Sequence, residues 1–246
     1  MITLQALVDH LNLLLEPSAI DDYCPNGLQV EGAGKIGSIV TAVSASLETI
    51  ESAVEAGVDA LIVHHGIYWK GLSPCVTGVL KRKIELLLGS GISLLAYHLP
   101  LDVHREVGNN WAAARDLGWD GLEEFGSYGV RGEFSARSID HFVKELEGYY
   151  EHAAHAALGG PKEVRSAALI SGGSHRSLSE AVAAGVDCFI TGSFDEPQWH
   201  IAREEGIHFL ALGHSATERV GPRALAFHLG ASFGIEADFL DLPNPF

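Results

Sequence analysis

The sequence predicts an α/β protein built from two related halves. Two internal alignments and the order of elements around them carry that prediction. The segment Ala53-Val-Glu-Ala-Gly-Val-Asp-Ala-Leu-Ile-Val63 is echoed by Ala181-Val-Ala-Ala-Gly-Val-Asp-Cys-Phe-Ile-Thr191, an offset of 128 that also lays Ser38-Ile39-Val40 on Ser166-Ala167-Ala168. Gly91-Ile92-Ser93-Leu94-Leu95-Ala96 aligns with Gly206-Ile207-His208-Phe209-Leu210-Ala211 at an offset of 115, so the halves differ in length. Each copy reads strand, helix, strand, helix, strand, the pattern of βαβ units with parallel strands. Internal duplication explains the echo; A-G-V-D-x-x-I is also common helix-to-strand punctuation and can arise without it.

Taken in order, Leu4, Leu7, Val8, Leu11, Leu14 and Leu15 mark one face of an N-terminal helix. Asp9, His10 and Glu16 interrupt that stretch and no basic region precedes it, which fits poorly with a signal peptide. A strand at 38–40 leads to a helix closed by Gly57, then to an apolar strand at 60–63 and another at 94–96. The glycine-rich stretch Gly118 to Gly132, opening with Trp119-Asp120-Gly121, reads as a linker. It separates an N-terminal α/β half, residues 1–122, from a C-terminal α/β half, residues 128–246, whose last segment is free to pack back on the first half. The second half repeats the scheme, with Gly185 closing its helix.

Composition narrows the function. With 47% apolar residues, 20% charged residues and 9 prolines in 246, the chain can bury a substantial core. No segment approaches the run of about 20 apolar residues a membrane span needs, so no membrane association is expected. Cys24, Cys75 and Cys188 stand far apart without a C-x-x-C pair, which argues against a disulfide scaffold and a thiolate zinc knot and points to a reducing, cytoplasmic setting. A formal charge of −16 argues against a broad basic surface and hence against a nucleic-acid partner.

In open parallel sheets, ligands gather outside the carboxyl ends of strands. Three such ends carry imidazole and carboxylate groups: His64-His65-Gly66 after Ala60–Val63, Tyr97-His98-Leu-Pro-Leu-Asp102 after Leu94–Ala96, and Gly213-His214-Ser-Ala-Thr-Glu218 after Phe209–Leu212. Adjacent histidines leaving a strand can point at two neighbouring ions, which suggests two metals. His214 and Glu218, four apart, fall on one face if the segment opens a helix. The metal ligands selected are therefore His64, His65, Asp102, His214 and Glu218. Imidazoles with carboxylates and no thiolate suit zinc, iron, manganese or nickel better than calcium. His98, four residues before Asp102, could be a ligand, an acid/base group or a supporting partner of the ligands, the last being favoured. The other histidines read as surface or hydrogen-bonded side chains. Lys70, beside Trp69, could meet a phosphate or a base but reads first as a solvated loop lysine.

At these residues the chain resembles the NIF-three-like proteins, also called GTP cyclohydrolase one type-two homologues. The resemblance covers nearly the whole chain. It rests on Pro25-Asn-Gly-Leu-Gln-Val30, Ile62-Val-His-His-Gly66 with Trp69-Lys70-Gly71, Tyr97-His-Leu-Pro-Leu-Asp102, Gly108-Asn-Asn110, Ile190-Thr-Gly192, Gly213-His214, Ala216-Thr-Glu-Arg219 and Leu242-Pro-Asn-Pro245. It implies two α/β domains of related topology with a dinuclear metal site in the cleft between them, and a toroidal homohexamer assembled as a trimer of dimers. By position it carries over the same five ligands. Ser215 and Ser193 depart from the family pattern, which often has histidine and glutamate there; Asp195 or Glu196 could compensate.

Two divalent ions could activate water, so hydrolysis of a nucleotide or related heterocycle is the leading expectation. The family label implies attack on the imidazole ring of GTP, which needs a general acid such as His98. The alternatives are a non-haem di-iron redox enzyme and a non-enzymatic metal-binding or regulatory scaffold.

Overall fold

The two helix-to-strand passages of the repeat fold alike. In a computed structural model describing residues 1–246, helix Leu47–Ala56 stops at Gly57 and helix Leu178–Ala184 stops at Gly185. Both glycines are left-handed, with φ of 65° and 70°, where a Cβ would crowd the following carbonyl. Each hands the chain to a strand buried along its apolar run, Ala60–His65 and Cys188–Thr191.

Contacts divide the chain into two units, residues 1–107 with 221–242 and residues 108–220 with 243–246. The first unit holds a five-stranded mixed sheet in the order Glu236–Phe239, Ser38–Ser44, Ala60–His65, Ser93–Ala96, Gly27–Val30. Its first four strands are parallel and the last is antiparallel. On one face lies the predicted N-terminal helix, Leu4–Leu15, capped by Thr3 Oγ1 on Ala6 N at 3.1 Å. Its Leu4, Leu7, Leu11 and Leu15 pack with Leu225 and Leu229 of helix Val220–Phe233. On the other face Ile50, Ala53 and Leu87 bring in helices Leu47–Ala56 and Gly78–Ser90.

The second unit holds a six-stranded mixed sheet in the order Asp120–Phe125, Gly129–Ser138, Glu163–Leu169, Cys188–Thr191, His208–Ala211, His155–Leu158. Phe142, Leu146 and Tyr150 of helix Ile139–Tyr150 cover one face. Leu178, Ala181 and Ala202 of helices Leu178–Ala184 and Pro197–Glu204 cover the other.

The offsets read from the sequence are those of the strand registers. Ile39 pairs with Ala60 and Ala60 with Ser93; the same positions in the second unit are Ala167 with Cys188 and Cys188 with His208. The antiparallel edge strand follows suit, Gly27 facing Ala96 and His155 facing Ala211. A carboxylate staples each first strand at the same place. Asp59 Oδ2 accepts from Gly37 N at 2.6 Å and Ser38 N at 3.1 Å, and Asp187 Oδ2 accepts from Arg165 N at 2.8 Å and Ser166 N at 3.2 Å.

The stretch expected to link the halves is instead part of a sheet. Residues 118–132 run into the antiparallel pair Asp120–Phe125 and Gly129–Ser138. Its glycines mark close approach: a Cβ at Gly129 would sit 2.5 Å from Ile170 Cγ1, and one at Gly132 2.7 Å from Leu122 Cδ2. No helix is long and apolar enough to cross a membrane.

Candidate metal centre

His64 ends the buried strand of the first unit and is itself fully buried. Its Nδ1 lies 3.2 Å from the carbonyl oxygen of Tyr97, which can only accept, so Nδ1 carries the proton and Nε2 presents its lone pair. Asp102 Oδ1 is 3.7 Å from that Nε2. Asp102 sits in the short helix Leu99–Val103, which starts directly after the strand Ser93–Ala96 and carries Pro100 in its first turn. His65, half-buried, is held through Nδ1 by Ser44 Oγ at 2.9 Å. The two rings stand 4.6 Å apart at 44°. One nitrogen from each of His64, His65 and His98 lies within 4.8 Å of the others.

His98 is fixed by residues the sequence reading did not select. Its Nδ1 is 2.7 Å from Asp22 Oδ1, and its backbone N donates to Asn26 Oδ1 at 2.7 Å. Asp22 also accepts from Asn26 Nδ2 at 2.9 Å and from Leu99 N at 3.0 Å. Burial pushes the Asp22 carboxyl up, but the hydrogen bonds from His98 and Asn26, the charge of His98 and the Leu99 amide outweigh it and hold the group down at about 2. Burial, then the charge of Asp22, pushes the neighbouring Cys24 thiol up to about 12.

The glycine of His64-His65-Gly66 has its own reason. A Cβ there would meet the Gln29 amide at 2.4 Å, and that amide accepts from Ile67 N at 2.9 Å and donates to Pro25 O at 2.9 Å. The Pro25–Val30 motif thereby steers the chain leaving His65. Beyond it, Tyr23, Pro25, Ile67, Trp69, Lys70 and Leu72 line a pocket of about 430 Å³. The Trp69 ring stands 5.1 Å from His98 and 5.7 Å from His65. Lys70 is exposed, its backbone N donating to Tyr23 O at 2.6 Å.

In the second unit His214 Nε2 and Glu218 Oε1 are 3.3 Å apart across one helical turn, His214–Thr217. The expected four-residue spacing is realised on a helix no longer than that turn. Ser193 Oγ, 3.2 Å from His214 Nδ1, orients the ring, so one departure from the family pattern holds a predicted ligand. Two glycines make the room. A Cβ at Gly172 would lie 2.2 Å from Glu218 Oε1 and 3.3 Å from His214 Nε2, and one at Gly192 would lie 2.6 Å from His214 Cα. Ser215 is committed through its backbone, N donating to Phe246 O at 2.8 Å. Of the two carboxylates that could compensate, Asp195 Oδ1 accepts from Glu196 N at 2.8 Å, and Glu196 pairs with His200 on the exposed face of helix Pro197–Glu204 at 3.0 Å.

The residues fit a divalent cation. Two donors about 2.1 Å from one ion lie roughly 3.0–3.4 Å apart at angles from square to tetrahedral. His214 with Glu218 at 3.3 Å falls in that range, and His64 with Asp102 at 3.7 Å is slightly wider. Imidazole nitrogens whose other ring nitrogen is anchored are the usual form of such ligands.

A family model described as Duf34/NIF3 (NGG1p interacting factor 3) matches residues 2–245. A protein of Chlamydia pneumoniae named GTP cyclohydrolase 1 type 2 homolog is 52% identical over 246 residues, covering 98% of each chain. The solved structure of protein ybgI, described as of unknown function, is 39% identical with a TM-score of 0.95 over 100% of both chains. The solved structure of a Thermus thermophilus protein, TTHA1606, is 34% identical with a TM-score of 0.93, again over 100% of both. The chain belongs to the Duf34/NIF3 family.

Proposed function

We propose that His64, His65 and Asp102 of the first unit and His214 and Glu218 of the second are the ligands of two divalent cations, and that the protein is a metal-dependent hydrolase of a nucleotide or related heterocycle. The observation that carries this reading is the pair of imidazole–carboxylate sets at strand ends, each imidazole anchored at its far nitrogen. The name borne by the Chlamydia pneumoniae relative, a GTP cyclohydrolase 1 type 2 homolog, supports the substrate class. The shared registers support reading the units as copies of one ancestral unit.

Bound cations would supply Lewis acidity, activating water and polarising the carbon or phosphorus under attack. The chain's own residues do the rest. Tyr97 O, Ser44 Oγ and Ser193 Oγ fix the ligand rings. Asp22 accepts the Nδ1–H of His98 and points the ring, whose Nε2–H in the imidazolium form would give a proton to the leaving nitrogen or oxygen. The pocket beside His98 offers the Trp69 and Tyr23 rings to a planar base and Lys70 to an anion. Six chains arranged as a trimer of dimers complete the proposal.

The test is a panel of nucleotides assayed with parent protein and with His64→Ala. Turnover of at least one nucleotide should fall by at least about 100-fold, in line with the loss of a metal ligand. Turnover unchanged in the variant overturns the reading.

A further inference from the structure

On the first unit, away from the strand ends, His10 and His228 face each other. His10 belongs to helix Leu4–Leu15 and His228 to helix Val220–Phe233. Their Nε2 atoms are 2.9 Å apart, and the rings are stacked with centroids at 5.1 Å and planes at 30°. Phe233 closes one side, its ring edge-on to His10 at 4.8 Å. Ser232, one turn beyond His228, places its hydroxyl 3.4 Å from His228 Nε2. Both imidazoles are half-buried, so the site is walled yet open to solvent.

We propose that His10 and His228 form a second cation site, a two-imidazole clamp for a divalent transition metal that ties the N-terminal helix to the helix near the C-terminus. The separation suits a shared cation. Two nitrogens about 2.05 Å from one ion are about 2.9 Å apart at a right angle and about 3.4 Å apart at the tetrahedral angle. The observed 2.9 Å is a hydrogen-bond separation close to both values, so a cation could take the place of the shared proton with little movement of either ring, and imidazole donors suit nickel(II), copper(II) and zinc. Without metal, one ring donates its Nε2–H to the other. Binding asks only that this ring move its proton to Nδ1, so both can offer lone pairs without net protonation change. Burial, and then His228, lower the pKa of His10 and so favour the neutral form that a metal needs. The clamp would join residues 218 positions apart, and any cation bound only by the folded chain adds to its stability by mass action.

The experiment is equilibrium dialysis of the full chain against nickel(II), with metal counted by elemental analysis in the parent, His10→Gln and His228→Gln. Glutamine keeps a polar side chain and removes the imidazole donor, and the two variants change different helices. The ligands proposed for the dinuclear centre stay intact, so failure here and failure of the hydrolase reading are separate results. The clamp predicts one nickel fewer per chain in each variant, and a smaller nickel-induced rise in melting temperature than in the parent. Equal nickel content in the parent and either variant overturns it.

Discussion

In the first unit the strand ending at residue 65 delivers two imidazoles; at the same place in the second unit stand Gly192 and Ser193, 128 residues on in the shared register. The exchange continues one strand over. Ser44, which anchors His65, corresponds to Gly172, whose missing Cβ leaves space for the Glu218 carboxylate. Two sheets of like register thus carry different strand ends. In the first, the candidate ligands leave two neighbouring strands, and the two imidazoles are held by a backbone carbonyl and a serine. In the second, they sit on a single helical turn that needs glycine beside it and borrows Ser193 as its anchor. A repeated fold fixes where side chains emerge, and a few substitutions at equivalent positions decide which copy carries a candidate ligand and which supplies room.

Gly172→Ala breaks this comparison most severely. The site combines a left-handed φ of 67° with a Cβ position 2.2 Å from Glu218 Oε1. Chemical denaturation should show a loss of roughly 2–4 kcal/mol, as strain and a displaced buried carboxylate combine, and metal content should fall. Serine at the matching position of the first unit lies in a strand and does not have the left-handed φ of Gly172.

Asp22→Asn tests the support that only the first unit has. Turnover should fall about 10–100-fold, the usual range for removing a group that orients a site imidazole, with metal content unchanged. The same variant has a pH signature. Asp22 is held at about 2 in the folded chain against 3.8 ordinarily, so its contribution to stability is complete above about pH 4 and fades as pH falls toward 2. The asparagine variant should lose less stability than the parent across that window. An identical acid profile in melting experiments would contradict the assigned role.

Ser193→Ala should have the smallest effect, about a tenfold weakening of metal affinity, from the low end of the range for orienting groups. Competition with a chelator would measure it. The corresponding anchor of His64 is the Tyr97 carbonyl, which no substitution removes, so the two ends should differ in how far their affinity can be tuned.

Much of this was legible in the sequence because it is local or periodic. The offsets of 128 and 115 are the strand registers themselves, and His64, His65, Asp102, His214 and Glu218 stand where a parallel sheet presents ligands. What escaped is non-local. Asp22 and Asn26 reach His98 across more than 70 positions of chain, and no spacing rule connects them. Strand Glu236–Phe239 pairs with Ser38–Ser44 through contacts nearly the length of the chain apart. Gly118–Gly132 misled because glycine looks the same in a flexible linker and in a tightly packed hairpin; only the neighbours, Ile170 and Leu122, tell them apart. Ser193 read as a lost carboxylate because its partner, His214, lies 21 residues away on another strand end.

The proposal assigns a divalent cation to each imidazole–carboxylate set, His64 with Asp102 and His214 with Glu218. Elemental analysis of the protein purified without chelator or added metal tests it most directly: the account predicts about two divalent ions per chain for the centre, in line with two ligand sets of this chemistry, while protein that carries none and takes up none at these residues contradicts it.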